Sequence, residues 1–513
     1  MASANDHDYR DGPRDECGVF GIYAPGHDVA RLAYFALFAL QHRGQESAGI
    51  ATAARGGNIM AIRDQGLVAQ VFDEHTLRSL LGDLAIGHVR YSTTGASEWE
   101  NAQPIVRDDH RTLALGHNGN LINAVELHAE LRGRDVPFRS TSDSEIIAAL
   151  LATHAGERIE DAVAEVLPRL KGAFSTVVMT EHAVVAFRDP HGLRPLALGV
   201  IENGGGGRGG RGGDGGRGGD GGRGGDGGRG GCGGDAYCVA SESCAFDLIG
   251  ARLLREVAPG EVVTLSEQGI SSRLVDGSQR RAFCVFEYIY FARPDSRMGG
   301  NVLQVARGKM GELLWHEAPV AADLVIAVPD SGNAAARGVA RAAGLPQDDG
   351  FIKNRYVART FIQPGQELRR QGLRMKFNPL PEVVAGKRLV VVDDSIVRGN
   401  TTRQIVKMLR DAGAAEVHLR ISAPPIKHPC HYGIDMSTRE EMIAHGRTVE
   451  EVAAELGADS LHYLSLAGVY AAVGSTRATH CDACFSGEYP LAGTQEAEGK
   501  DALEGAELPL TAV

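Results

Sequence analysis

Two carboxylates stand side by side where an apolar run ends, in Leu389-Val390-Val391-Val392-Asp393-Asp394-Ser395-Ile396-Val397-Arg398-Gly399-Asn400-Thr401-Thr402. The run reads as a buried strand, and the small hydroxyl residues after it lead into a helix. Open α/β sheets bind ligands at the C-terminal ends of their strands. Backbone N–H groups where a loop opens a helix suit a phosphate, and paired carboxylates suit vicinal ribose hydroxyls or a magnesium ion. Capping the helix would need only one of the two. Val328-Pro329-Asp330-Ser331-Gly332-Asn333 has the same strand-to-helix form. From Lys353 to Lys376 the chain carries seven basic residues and one acid, interrupted by Pro364 and Gly365. Such a segment is either a solvated surface or a lid over a polyanion, and the neighbouring cradle favours the lid.

A second set lies near the N-terminus. Cys17 opens an apolar strand directly after a charged leader. Alone, it would read as a buried small hydrophobe. Its company changes that reading. Gln41–Ile50 is a polar turn after an apolar helix, and Gly87–Gly95 ends a strand with Arg90 and a run of hydroxyls that includes Thr93. Gly116-His117-Asn118-Gly119-Asn120 is a tight glycine turn, and Asp143 sits where a helix begins.

The elements that must hold these residues fall into two patterns. Before the glycine tract the chain shows short strands and two clear helices, predicted at Val29–His42 and Ser142–Ala155 with Ser142 or Asp143 as cap. After about Phe283 strands and helices alternate: Leu324–Pro329, then Ala334–Ala343; Arg388–Asp393, then Thr401–Ala412; then Glu416–Ser422. That alternation predicts a parallel sheet and a domain boundary near residue 282. Between expected strands Ala197–Glu202 and Tyr237–Ser241, residues 204–234 are almost all glycine, with Arg and Asp at regular intervals. With no apolar residues to offset ordering, the tract reads as a disordered surface loop. Its aspartates cancel most of the charge and no aromatics interleave, which argues against RNA binding.

Composition narrows the function classes. A net charge of −12 argues against broad nucleic-acid binding. No apolar run is long enough to span a membrane, and Met1–Glu16 lacks the apolar core of a secretory signal, so a cytoplasmic location is expected. Eight cysteines then suggest chemistry or metal rather than disulfides. Cys481-x-x-Cys484 is a metal-type pair for which spacing alone puts zinc first. Cys284 follows the domain junction, Cys430 lies in a proline-rich stretch, and Cys232, Cys238 and Cys244 are left over.

In order, the motifs from Cys17 to Asp189 resemble the class II glutamine amidotransferase domain, an N-terminal-nucleophile hydrolase. The stretch around Asp393 resembles the phosphoribosyl pyrophosphate (PRPP) motif of type I phosphoribosyltransferases, and Asp330-Ser331-Gly332-Asn333 their pyrophosphate loop. Joined in one chain, with Glu287–Ser296 and Lys353–Phe361 as further matching stretches, they resemble the glutamine PRPP amidotransferase family, in its propeptide-bearing, iron–sulfur branch.

The resemblance implies an αββα sandwich at 17–282 (insert 204–234), followed by a type I phosphoribosyltransferase parallel-sheet domain at 283–492. A propeptide at 1–16 and a mobile tail at 493–513 would flank this two-domain α/β and α+β fold. It implies that glutamine, PRPP and water give phosphoribosylamine, glutamate and pyrophosphate, the first committed step of purine (IMP) synthesis, with ammonia channelled between two sites. Cys17 would be the nucleophile, and its freed α-amine the base. Asn118 and Gly119 would form the oxyanion hole, and Arg90, Thr93 and Asp143 would hold glutamine.

PRPP would be bound by Asp330, Ser331, Gly332, Asn333, Lys353, Arg355, Tyr356, Asp393, Asp394, Ser395, Arg398, Gly399, Thr401 and Thr402. Magnesium would lie at Ser331, Asp393 and Asp394, and Tyr356 would line the channel. For Cys284, Cys430, Cys481 and Cys484 the resemblance reverses the zinc-first order in favour of a [4Fe–4S] cluster. It further implies feedback by purine nucleotides and a homo-oligomer, dimer or tetramer, with neither nucleic acid nor membrane as partner.

Overall fold

The computed structural model describes residues 17–91, 98–202, 235–277, 279–354, 377–434, 436 and 438–491. The expectations for the leader, Thr93, the glycine-rich insert with Cys232, Arg355, Tyr356, the segment beyond Asn354 and the tail lie outside these residues.

Two antiparallel sheets face each other in the first half of the chain. One runs Arg252–Glu256, Ala197–Ile201, Ala236–Ala240, Gly18–Tyr23, Leu84–Arg90, Ser47–Ala53, Ile59–Gln65 from edge to edge. The other runs Gly269–Leu274, Glu261–Ser266, Val184–Arg188, Gly172–Met179, Thr112–Leu121, Ile105–Asp108. Val19, Ile86, Val177, Ala186 and Val263 fill the layer between them. Helix Val29–Ala39 covers the outer face of the first sheet, and helices Ala124–Arg132, Asp143–Ala152 and Ile159–Val166 cover that of the second. This is the expected αββα sandwich. Gly18–Tyr23 and Leu84–Arg90 are buried along their whole length because both faces are covered, so neither alternates polar and apolar residues.

The second half builds the expected parallel sheet, in the order Leu324–Ala327, Arg388–Asp393, Glu416–Ile421, Ser460–Tyr463. Helices Leu303–Glu317, Asn333–Ala343, Asn400–Asp411, Val449–Leu456 and Leu466–Val473 pack around it over one continuous core. The fold is therefore two-domain α/β. A two-residue parallel pairing, Phe283–Cys284 with His480–Cys481, joins the start of this half to its end.

Helix ends differ from expectation for local reasons. The helix predicted at Val29–His42 stops at Ala39, where the N–H of Leu40 turns back to Ala36 and that of Arg43 to Leu40. The turn sends His42 and Arg43 inward. The helix predicted from Ser142 begins at Asp143, with the Ser142 hydroxyl accepting the N–H of Ser144 as its cap, and it ends at Ala152. The helices predicted at Ala334 and Thr401 each begin one residue earlier. Among the described residues no helix is long and apolar enough to cross a membrane.

Candidate active sites

Cys17 enters the central strand of the seven-stranded sheet. Its thiol donates to the carbonyl oxygen of Tyr91 at 3.3 Å and accepts the Tyr91 N–H at 3.4 Å. Burial pushes the thiol up to about 11; the N–H of Tyr91 and the charge of Arg90 pull it down, and Glu46 and Asp143 push it further up. The thiol is therefore protonated at neutral pH. Arg90, fully buried at the end of Leu84–Arg90, lies 3.8 Å from Glu46. Asp143, at the first turn of its helix, accepts the N–H of Leu121 at 3.0 Å.

Asn118 and Gly119 lie between these groups in chain order, on strand Thr112–Leu121. Among the described residues, the buried side-chain nitrogen of Asn118 has no hydrogen-bond partner. A buried donor left open is costly, so it marks a place for an acceptor that arrives with a substrate. Gly119 has φ +150°, and a Cβ there would come within 1.9 Å of the carbonyl oxygen of Ala173. Only glycine lets the donor strand lie so close to its neighbour.

Three features of this site escaped the sequence. Gln103 accepts the N–H of His117 at 2.7 Å and donates to the Ser144 hydroxyl at 2.9 Å, so it ties the donor strand to the helix that carries Asp143. The second is a buried ion network. Arg43 donates Nε to the carbonyl of Cys17 at 3.1 Å, and its other nitrogens pair with Glu242 at 2.5 Å and Glu287 at 2.8 Å. Burial alone would raise the Glu242 carboxyl, but His42 and Arg43 overcome it and hold the group well below its usual range. Glu242 also accepts from the Ser296 hydroxyl at 2.6 Å and the Arg293 N–H at 2.8 Å. The third is Arg307, buried in the second half, which donates to the carbonyls of Tyr288 and Ala292 and feels the charge of Asp394. Arg43 and Glu287 stood inside stretches singled out as motifs. Glu242, Gln103 and Arg307 carry no local signal.

The residues expected to cradle a ribose phosphate stand at the end of Arg388–Asp393. Asp393, Asp394 and Ser395 are buried; Asp394 donates its N–H to the Asp393 carboxylate at 2.9 Å and accepts from the Ser395 hydroxyl at 2.5 Å. Gly399, with φ +79°, caps helix Asn400–Asp411, whose first turns hold Thr401 and Thr402. Arg398 pairs with Glu441 at 3.1 Å. The neighbouring strand Leu324–Ala327 brings up Asp330–Asn333; Val328 donates to the carbonyl of Val392, and Lys353 pairs with the carboxylate of Asp330. The two motifs thus share the C-terminal end of two adjacent parallel strands, and their carboxylates and hydroxyls suit a divalent cation with oxygen ligands.

The four cysteines separated by up to 200 positions share one neighbourhood. Cys284 and Cys481 stand opposite each other in the parallel pairing. Cys484 is one turn on, and the charges of Cys430 and Cys481 act on its thiol, which burial raises well above the ordinary value. Among the described residues no three His, Cys, Asp or Glu side chains are oriented to hold a metal ion. The backbone nevertheless collects thiols at one seam, the donor set that iron–sulfur clusters and zinc both take. Cys238 and Cys244 pack in the core of the first half.

A family model described as "Glutamine amidotransferase domain" matches residues 88–206. The chain is 47% identical over 489 residues to the amidophosphoribosyltransferase of Synechococcus elongatus, covering 95% of this chain and 93% of that protein. It is 46% identical over 486 residues to that of Bacillus subtilis, covering 93% and 95%. The solved glutamine PRPP amidotransferase of B. subtilis, complexed with ADP and GMP, superposes with a TM-score of 0.83 at 43% identity, covering 94% of this chain and 99% of that one.

Proposed function

The chain belongs to the amidophosphoribosyltransferase family, and on that premise we propose which of its residues carry each half of the reaction. The activity is transfer of the glutamine amide nitrogen to PRPP, the first step of purine biosynthesis, by a glycosyltransferase with glutaminase activity. The glutaminase half is residues 17–282 and the ribosyl half 283–492.

In the first half, Arg90 and Asp143 hold the carboxylate and ammonium of glutamine, with Thr93 beside them. The Cys17 thiol attacks the carboxamide carbon. A thiol held at about 11 needs a base, and the α-amine of Cys17 serves once Met1–Glu16 has been removed; an amide nitrogen could not. The open Asn118 side chain and the Gly119 N–H receive the oxyanion. Collapse expels ammonia and leaves a thioester, which water hydrolyses to glutamate. The observation that carries this reading is the unpartnered, buried Asn118 nitrogen on the strand between Cys17's partners and Asp143.

In the second half, Asp393 and Asp394 bind the ribose hydroxyls, and Ser395, Gly399, Thr401 and Thr402 with Arg398 bind the 5-phosphate. Asp330, Ser331, Gly332 and Asn333 with Lys353 and Arg355 hold the pyrophosphate. Magnesium at Ser331, Asp393 and Asp394 would neutralise charge on the leaving pyrophosphate. Ammonia, passed inside the protein along a wall that includes Tyr356, attacks C1 of the ribose and displaces pyrophosphate. Cys284, Cys430, Cys481 and Cys484 hold a [4Fe–4S] cluster, or else zinc, which would tie the start of the ribosyl half to its end. Purine nucleotides inhibit the enzyme, which works as a cytoplasmic homo-oligomer, a dimer or tetramer.

The test is a paired assay on Cys17→Ala and on the double variant Asp393→Asn, Asp394→Asn. The first should lose glutamine-dependent synthesis and keep ammonia-dependent synthesis. The second should lose both while retaining basal glutamine hydrolysis. Near-normal use of free ammonia by the double variant would refute the cradle assignment. Mass spectrometry of active protein should show a chain beginning at Cys17.

A further inference from the structure

Three successive residues of the ribosyl half touch the strand that carries Asn118 and Gly119, or its immediate support. The carbonyl of His431 accepts the side-chain N–H of Asn120 at 3.1 Å. The carbonyl of Tyr432 accepts from the buried guanidinium of Arg194. Gly433, with φ +94°, lies against Gly119: a Cβ there would come within 2.9 Å of the Gly119 carbonyl carbon, 3.1 Å of its oxygen and 3.0 Å of the Arg194 guanidinium. On its other side, Gly119 lies hard against Ala173. Tyr432 and Cys481 join Ala173, Leu193 and Ala282 in a small apolar cluster that seals this contact from water.

The donor strand is therefore clamped between its sheet neighbour and a loop of the other domain. Past Leu115, where its pairing with Ile105–Asp108 ends, the donor strand has a sheet neighbour on one side only, and a strand end so held can shift by fractions of an ångström. Transition-state donors lose their effect when misplaced by about that much. We infer that the loop Cys430–Gly433 is a positioning element for the oxyanion hole, so that the ribosyl half sets the geometry of glutamine cleavage through direct backbone contact. This rests on the assignment of Asn118 and Gly119 as oxyanion donors. The loop contacts described above run to Asn120, Arg194 and Gly119. Loop changes should act on the chemical step and leave glutamine binding alone.

The experiment uses the full-length, processed enzyme and three variants: Gly433→Ala, Asn120→Ala and, as reference, Asn118→Gly. Glutamine hydrolysis is measured as separate kcat and KM, alongside ammonia-dependent synthesis and the unfolding midpoint. Gly433→Ala should lower the glutaminase kcat by about 10- to 100-fold, the cost of misplacing a catalytic group by about an ångström. KM for glutamine and ammonia-dependent synthesis should not change. Asn120→Ala removes a hydrogen bond without crowding and should give a smaller loss of the same kind; it decides the matter alone if Gly433→Ala proves insoluble. If Asn118→Gly abolishes glutaminase activity while both loop variants keep a normal kcat, the loop has no positioning role. A rise in KM at constant kcat, or a parallel fall in ammonia-dependent synthesis, would likewise overturn it. If Asn118→Gly itself cleaves glutamine normally, the oxyanion assignment fails instead, and the inference falls with it.

Discussion

Arg90 shows how much depends on one planar group. It is buried at the end of its strand, 3.8 Å from Glu46, and its charge favours the Cys17 thiolate. A guanidinium can grip a carboxylate with two parallel bonds, where an ammonium acts as a point charge. Arg90→Lys should therefore raise KM for glutamine by about 10- to 100-fold, the worth of a hydrogen bond to a charged group, and leave ammonia-dependent synthesis intact in steady-state assays. Residues of this kind were legible because each sits in a short run whose neighbours serve the same chemistry. Arg90 stands among hydroxyls at a strand end, Asn118 and Gly119 in a glycine turn, Asp393 and Asp394 at the end of a valine strand. Glu242 was not legible. It stands between two serines, and its partners His42 and Arg43 lie about 200 positions away. Nothing local distinguishes it from a solvated glutamate.

The elements that carry the site are joined by side chains more than by loops. Gln103 spans strand Thr112–Leu121 and helix Asp143–Ala152, one amide serving a backbone donor and a hydroxyl. Gln103→Met leaves the His117 N–H and the Ser144 hydroxyl buried without that partner. The Ser144 hydroxyl keeps the ring of His117 as a partner at 3.0 Å, but the orphaned His117 N–H costs about 1–3 kcal/mol, so the midpoint in denaturant should fall, and glutamine KM should rise as Asp143 drifts from the donor strand. The apolar run that became Arg388–Asp393, the alternation of Glu416–Ile421 and the amphipathic period of Asn400–Asp411 announced themselves in the sequence. The pairing of Phe283–Cys284 with His480–Cys481 did not, because a two-residue strand has no period to read. Likewise, the early end of helix Val29–Ala39 reflects the pull of Glu242 on His42 and Arg43, a tertiary demand that helix propensity does not contain.

At the scale of the whole molecule, Arg43 bridges the halves, bonded to Cys17, Glu242 and Glu287 at once. Removing one partner of a buried pair leaves a charge stranded, at a cost of about 3–5 kcal/mol. Glu287→Ala should accordingly lower stability by that order in equilibrium unfolding and reduce glutamine hydrolysis, since Arg43 also holds the nucleophile's carbonyl. Acid should weaken the sandwich in a defined window. Burial lowers His88 from its ordinary 6.5 to about 3, against a partly compensating bond to the carbonyl of His117. Below 6.5 the unfolded chain takes up a proton that the folded one refuses. Stability is therefore complete above that pH and falls as the pH drops toward 3, by about 1.4 kcal/mol per pH unit for this group. His88→Gln should flatten that slope in urea titrations across the window. The seam at Cys284 has a further consequence, for the order in which the protein is made. A ribosome delivers Cys284 nearly 200 residues before Cys481, and Cys430 comes late as well. The glutaminase sandwich, complete by Leu274, emerges and can fold while its cysteine-lined flank is still bare. A group held by all four thiols could therefore be loaded only after translation has passed Cys484. Until then the loop that presses on Gly119 is not seated, and the nascent chain carries Cys17 beside an unfinished strand contact.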